Sequence, residues 1–418
     1  MPRDRRPGTP PLPSRIDSPV TIERLVAGGF GLARVLGRVV LVSGAAPGDI
    51  VTLAVDRAQG GVAFAHPTAI LEPSPDRVEP PHPELTRCGG ADLQHLAYDA
   101  QLRVKGEIVA DALRRVGGID WPDPVPVVPS PSQWGYRGRA EWRHDPRDPA
   151  LGYVAAGTHD ACDLEADPFV VPALQAAFAD LRERMSRGDL PADAREFRAA
   201  AGDGGVSLAP DPDGGDVREV VLTVAGERLR HDATSFFQAN HGLLGALVEE
   251  ALRFAASPDD LAAQPPDTMA IDLYAGVGLF TLPLLRRYRR VVAVESEPAT
   301  AAHLARNAAD AGLRGLRVVE QRVEAWLPLA YRSFGRPAFL LLDPPRTGLP
   351  AVATAALLRL RPERISYVSC DPATLARDLK RLLERDYRLE RVVALDLFPQ
   401  THHVEAVAHL VRTEPEEP

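Results

Sequence analysis

Between residues 267 and 412 the chain alternates short apolar runs with segments of helical periodicity, and nothing else in it constrains the fold as tightly. The apolar runs are TMAIDLYA, VVAVES, LRVVEQ, AFLLLDPP, ISYVSC, RVVALDLF and VEAVAHLVR. Most are continuous rather than alternating, as expected of strands covered on both faces. Helical stretches separate the first six, which predicts a doubly wound, Rossmann-like α/β domain. In such sheets ligands bind outside the carboxyl ends of the strands, so the residues just after each run are the first to inspect.

The remaining sequence reads as smaller modules. A chain of 418 residues suits two or three domains. Residues 1–16 are rich in Pro and Arg and are expected to form a disordered tail, with Arg3, Arg5, Arg6 and Arg15 as its cations. Residues 17–72 hold short alternating runs broken by glycines, the pattern of a small OB-like β-barrel. Residues 73–91 and 121–230 read as a mixed α+β central domain, with one helical stretch near 172–187. Residues 92–120 carry apolar residues at helical spacing and end at Gly117-Gly118, so they are assigned to a helix packing on the α/β domain, which spans 231–415. A net charge of -9 argues against a generally basic surface but not against a local basic patch. No apolar run is long enough to cross a bilayer, and the N-terminus lacks the apolar core of a secretory signal. Three cysteines, Cys88, Cys162 and Cys370, exclude a disulfide framework and fit the cytoplasm.

The rim of the predicted sheet is chemically rich. The first strand leads into Asp272-Leu-Tyr274-Ala-Gly276-Val-Gly278. Glycines there let a ligand approach the backbone at a helix N-terminus. A dinucleotide fingerprint would need glycine at position 281, where Thr281 stands. The second strand ends at Glu295, placed to accept hydrogen bonds from ribose hydroxyls. These features fit an adenosine cofactor, with S-adenosylmethionine favoured over a dinucleotide. After the fourth strand, Asp343-Pro-Pro-Arg346 fixes an extended turn that holds Asp343 at the rim. The fifth strand delivers Cys370 to the same edge, and Glu405 opens the last strand. A rim thiol suits covalent catalysis and a rim carboxylate suits acid–base work.

Together these segments resemble the RNA uracil-5-methyltransferase family. The resemblance rests on Ser-Phe-Phe-Gln-Ala-Asn (235–240), Asp-Leu-Tyr-Ala-Gly-Val-Gly (272–278), Asp-Pro-Pro-Arg (343–346), Val-Ser-Cys-Asp-Pro-Ala-Thr (368–374) and Phe-Pro-Gln-Thr-His-His-Val-Glu (398–405). It runs from about residue 18 to 412, and AGGFGLARV with VVLVSGAAPGDIV resembles a TRAM barrel. The resemblance implies a class I methyltransferase domain and S-adenosylmethionine held by Gln238, Glu295 and Asp343 with the turn at Tyr274 and Gly276. It implies Cys370 as nucleophile and Glu405 as base. Phe236 would stack on an extruded base, while one of Phe236 and Phe237 packs in the core. Arg137 and Arg139 match a basic segment that would contact RNA phosphates, and Arg346 is a candidate donor to a developing enolate oxygen.

One departure concerns metal. Many relatives hold an iron–sulfur cluster on four cysteines. Here Ala91 stands at one ligand position and His82 at another, leaving Cys88 and Cys162. No iron–sulfur cluster is expected. A packed, metal-free remnant is favoured over a zinc site of His82, Cys88 and Cys162.

The expected partner is RNA, ribosomal rather than transfer RNA because of the TRAM-like barrel; no membrane partner is expected, and the protein is taken as a monomer. Three other readings stay open: a catalytically silent RNA-binding factor that keeps the fold, a cytosine-5 methyltransferase, and a uridine-5-methyltransferase acting on transfer RNA. Intact Cys370 and Glu405 weigh against the first. The lack of a second cysteine near the fourth-strand motif weighs against the second.

Overall fold

The computed structural model describes residues 12–88, 90–121, 124–145, 150–155 and 158–413. Arg3, Arg5 and Arg6 of the expected tail lie outside the described residues. The chain forms two compact units, one of them the N-terminal barrel with residues 90–104 and 400–402, the other residues 105–399 and those from 403 onward.

The barrel-like first unit is a six-stranded sheet in the order β1-β5-β6-β4-β3-β2. Its strands are β1 (Arg15–Thr21), β2 (Arg24–Val26), β3 (Phe30–Val35), β4 (Arg38–Val42), β5 (Ile50–Gln59) and β6 (Val62–Glu72). Neighbours are antiparallel except β4 and β6, which run parallel. The strand begins two residues before the boundary expected from sequence: Ile16 pairs with Leu53 and is buried. Alternate residues such as Val40, Val42, Val51, Leu53, Ala63 and Ala65 fill the interior. Asp49, fully buried, ties the turn before β5 to the exit of β6 by accepting from the Ala46 (2.7 Å) and Ser74 (2.8 Å) amides and from Arg77 (2.5 Å).

Helix α1 (Tyr98–Ala112) is shorter than the segment its periodicity marks. The residues before it form turns instead, because the Leu93 amide bonds to Gln400 O (2.9 Å) and the Leu96 amide to Leu93 O (2.9 Å). At its other end the helix widens over Leu113–Gly117 and stops at Gly118, whose φ of 65° is the left-handed cap that glycine adopts freely.

The central part of the second unit begins with β7 (Val127–Val128). A five-stranded sheet follows, in the order β10-β9-β8-β11-β12. It is built from β8 (Arg139–Asp145), β9 (Ala150–Val154), β10 (Ala161–Asp163), β11 (Glu196–Gly202) and β12 (Gly205–Ala209). Helix α2 (Pro172–Arg187) buries Leu174, Phe178 and Leu181, with Phe178 against Trp142 at 5.0 Å between ring centres. A hairpin of β13 (Val220–Val224) and β14 (Glu227–His231) leads to α3 (Leu244–Ala251).

The rest is the predicted doubly wound domain. Its elements are β15 (Met269–Leu273), α4 (Thr281–Leu285), β16 (Arg290–Glu295), α5 (Pro298–Asp310), β17 (Leu316–Glu320), α6 (Val323–Ser333), β18 (Phe339–Leu342), α7 (Ala351–Leu360), β19 (Arg364–Ser369), α8 (Pro372–Leu383), β20 (Tyr387–Leu395) and β21 (Glu405–Arg412). The eight-stranded sheet has the order β17-β16-β15-β18-β19-β21-β20-β7. Strands β15 to β19 pair in parallel, and β21 inserts antiparallel between β19 and β20. Successive residues face opposite cores: Ile271, Leu273, Leu340 and Leu342 on one side, Ala270, Phe339 and Leu341 on the other. That two-sided burial is why these strands read as continuous apolar runs.

Candidate active site

Strand β15 is buried throughout and cannot continue past Leu273. Tyr274 takes a φ of 63°, and Gly276 and Gly278 follow at 56° and 103°. The φ of 103° at Gly278 is one that glycine adopts freely, and a Cβ there would also press on the tip of Leu282, 2.8 Å from its Cδ1. A Cβ on Gly276 would meet nothing within 4 Å, so its backbone faces open room. The Gly276 amide donates to Glu295 Oε2 at 2.9 Å. The other carboxylate oxygen of Glu295 accepts from the Ser296 (2.7 Å) and Glu297 (2.8 Å) amides. This acid is therefore clamped by backbone at the end of β16.

That cavity has a volume of about 570 Å³. Its wall includes Phe236, Gln238, Tyr274, Gly276, Glu295, Asp343, Arg346, Cys370 and Glu405. Residues from distant motifs thus converge on one chamber. Asp272 and Gly278 sit behind the wall instead. Asp272 accepts from Thr281 Oγ1 at 2.5 Å, while its Oδ1 is buried with no partner. Burial pushes its carboxyl up to about 7. Asp343, held by Gln238 Nε2 at 3.1 Å, is likewise raised by burial.

The register of the sheet sets the reactive pair. Ser369, the last residue of β19, lies opposite Ala406 of β21, so the next residue on one strand and the preceding one on the other, Cys370 and Glu405, meet at the rim. The Asp371 side chain caps α8 through the Thr374 amide (2.8 Å), and Pro372 starts the helix, which fixes the turn carrying Cys370. Burial, and then the nearby Glu405, push the Cys370 thiol up to about 11, while Arg346, hydrogen-bonded to it, pulls the other way. Glu405 is fully buried, and its Oε1 has no partner. Burial and the neighbouring Asp343 hold its carboxyl well above the usual range, against the pull of Arg346.

The two adjacent phenylalanines divide as expected. Phe237 is buried and stacks on His231 at 4.5 Å and 11°. Phe236 is 64% exposed at the chamber mouth. The turn before it is shaped by Asp232, which accepts from the Thr234 (2.8 Å) and Ser235 (2.9 Å) amides.

The arginines expected to reach RNA point inward. Arg139 donates to Ser235 O and to Ala233 O (3.3 Å), with its guanidinium 5.8 Å from the Phe236 ring. Arg137 lies between the rings of Phe169, Tyr153 and Phe398 at 5.7, 5.9 and 5.8 Å, and its Nε is buried without a partner. The flanking aromatics therefore hold these cations in place. Sequence reasoning also missed Phe398 and His403, both in the chamber wall. Their only signal was membership in the motif that ends at Glu405.

Cys88 and Cys162 form a disulfide, with Cα atoms 5.4 Å apart. The sequence reading that set disulfides aside is corrected here: strand β10 brings two cysteines 74 residues apart together, a proximity no spacing rule reveals. Among the described residues, no group of three or more His, Cys, Asp or Glu could hold a metal ion. Among them too, no helix is long and apolar enough to cross a membrane.

The fold and chamber define a methyltransferase-type α/β domain joined to an N-terminal TRAM-type barrel. A family model described as tRNA (uracil-5-)-methyltransferase matches residues 215–413, and one described as the TRAM domain of tRNA (uracil(54)-C(5))-methyltransferase matches residues 19–75. The chain is 33% identical to the 23S rRNA (uracil(1939)-C(5))-methyltransferase RlmD of Pseudomonas fluorescens, over 96% of this chain and 95% of that one. It is equally 33% identical to an uncharacterized RNA methyltransferase of Gloeobacter violaceus, over 94% and 96% of the two chains. The solved tRNA (uracil-54, C5)-methyltransferase of Pyrococcus abyssi, in complex with S-adenosyl-L-homocysteine, shares the fold with a TM-score of 0.70 at 24% identity, covering 94% of this chain and 100% of that one. The chain belongs to the RNA uracil-5-methyltransferase family and is an S-adenosylmethionine-dependent enzyme of that class.

Proposed function

We propose that this enzyme methylates carbon 5 of a uridine in 23S ribosomal RNA through a covalent bond from Cys370 to carbon 6, with Glu405 as the base. The observation that carries the mechanism is the strand register that sets Cys370 beside a buried, unpartnered Glu405 in one chamber. The ribosomal target is supported by relatives of that name, matched over nearly the whole of both chains.

Carbon 5 of uracil is a weak nucleophile. Thiolate addition to carbon 6 moves electron density onto carbon 5 and the carbonyl oxygen, dividing one hard step into easier ones. The thiol must first lose its proton to solvent, and Arg346 is the cation that favours the thiolate. Arg346 also suits the charge that develops on the carbonyl oxygen. Bound S-adenosylmethionine supplies an electrophilic methyl group. The chamber fits that cofactor. Asp272 offers an unsatisfied buried oxygen behind the wall, Glu295 offers lone pairs where ribose hydroxyls would sit, and Gly276 leaves room for the backbone approach. Gln238 and Asp343 complete the polar side. Once carbon 5 carries its methyl group, Glu405 takes the remaining proton there, and the electron pair expels Cys370. Attack on carbon 6 is impossible inside a stacked helix, so the base must flip out, and exposed Phe236, steadied by Arg139, is the stacking platform. The barrel (17–72) and central domain (121–230) would hold the surrounding RNA. The protein would act as a monomer in the cytoplasm.

The test uses purified protein, labelled S-adenosylmethionine, and separate ribosomal and transfer RNA from cells lacking the gene. The expected result is 5-methyluridine in 23S RNA and none with Cys370→Ala. Methylation of transfer RNA alone would replace the target, and full activity of Cys370→Ala would replace the mechanism.

A further inference from the structure

The chain has only two lysines, Lys105 and Lys380, beside 46 arginines. Lys105 is 0% exposed on α1 and pairs with Asp396, itself 0% exposed. A buried ion pair is costly, and well-packed apolar residues in its place are often neutral or stabilising. Stability alone therefore gives a weak reason for this pair. An ammonium is a compact charge with three donors, and here it serves more than one acceptor. Besides Asp396 Oδ1, Lys105 Nζ donates to the backbone oxygen of Phe398 at 2.9 Å.

Both acceptors lie in the connection from β20 to β21. Leu395, next to Asp396, is the cross-strand partner of Glu405. The Asp396 amide also bonds to Val128 O at 3.0 Å, so the start of the connection is fixed from the β7 side. The Phe398 ring forms part of the chamber wall, packs edge-on against His403 at 5.9 Å and faces Arg137. One ammonium thus fastens the point where the strand carrying the base turns back toward the reacting thiol.

We propose that Lys105 is a positioning residue for the methylation reaction. It locks the β20–β21 connection through Asp396 and Phe398 O, so that the Phe398 wall and Glu405 are held in register with Cys370. The inference rests on the covalent mechanism above. Its specific consequence is that loosening this lock impairs proton removal from carbon 5 more than cofactor binding. The enzyme–RNA adduct, already methylated, then persists, because elimination of Cys370 must wait for Glu405.

The test compares the full-length enzyme with Lys105→Met and with the charge-matched double variant Lys105→Met/Asp396→Leu, using ribosomal RNA and methyl-labelled S-adenosylmethionine. Both variants are expected to show kcat lowered ten- to hundredfold, an unchanged KM for S-adenosylmethionine, and a labelled protein–RNA band on denaturing gels that exceeds wild type. The double variant is expected to melt at or above the wild-type temperature. Recovery of wild-type kcat by the double variant would overturn the proposal, since the pair would then be mere structure. Should Lys105→Met fail to fold, the double variant carries the comparison. Glu405→Gln and Cys370→Ala run alongside. If Glu405→Gln turns over normally, or Cys370→Ala forms the band, the covalent mechanism itself fails, whatever the Lys105 variants do.

Discussion

Two buried carboxylate sites in this protein look alike in sequence and differ in purpose. In the barrel, Asp49 is fully buried, and both its oxygens are occupied by backbone amides and Arg77. Despite the desolvation that would raise it, its carboxyl stays below the usual range because those donors favour the charged form. At the chamber, Glu405 in its wall and Asp272 behind it are as buried, but each keeps an oxygen without a partner, and burial drives both upward. Folding has satisfied the first site. At the second, Asp272 Oδ1 and Glu405 Oε1 are left without a partner, which fits the roles proposed for them in binding the cofactor and moving a proton. Burial of an acid is therefore no guide to function; the state of its partners is.

Removing Asp49 should give the largest stability effect. Asp49→Ala leaves two amides unpaired and strips Arg77 of its carboxylate, leaving that guanidinium its bond to Gly44 O, and is expected to cost about 3–5 kcal/mol in chemical denaturation at pH 7. Its folded value lies below the ordinary 3.8, so the stability it adds is present above that value and is lost as pH falls through the folded one. The gap between wild type and variant should narrow in acid, while affinity for S-adenosylmethionine is unchanged. A variant as stable as wild type at pH 7 would remove one side of the comparison.

Asp272→Asn should have the opposite sign. The native carboxyl is raised to about 7 from an ordinary 3.8, so ionising it costs stability as pH climbs between those values. The cofactor-free variant is expected to gain roughly 2–4 kcal/mol at pH 8, and little at pH 4, in urea melts. Cofactor affinity, measured by calorimetry, should fall. A destabilised variant at pH 8 would mean that this acid is structurally satisfied after all.

The smallest effect concerns Arg346. It opposes the upward shift of Cys370, so Arg346→Met should raise the thiol further and slow its alkylation below pH 11. A slowing of about tenfold corresponds to one pK unit. Unchanged rates of iodoacetamide labelling would exclude Arg346 as the activating cation.

Much of this was legible in the sequence. Two-sided burial wrote the strands of the doubly wound sheet as apolar runs, and the segments at their carboxyl ends named Cys370, Asp343 and Glu295. Helix α2 appeared where its periodicity put it. What could not be read were pairings between distant segments. Periodicity does not reveal that β21 lies between β19 and β20, yet that insertion is what sets Glu405 beside Cys370. Nor does composition show that Arg137 and Arg139 turn inward onto aromatic rings and carbonyls, since a surface arginine reads the same in sequence. The Cys88–Cys162 bond and the lock from Lys105 to Asp396 join residues 74 and 291 positions apart, beyond any local pattern.

In the proposed reaction the chamber is completed by a covalent bond from Cys370 to the target base. The most direct measurement incubates the enzyme with S-adenosylmethionine and ribosomal RNA carrying 5-fluorouridine. Fluorine at carbon 5 cannot be taken as a proton, so the adduct should persist after methyl transfer. Peptide mapping by mass spectrometry is expected to find the methylated base on Cys370. The absence of any adduct, or its attachment to a different residue, would contradict covalent catalysis by Cys370.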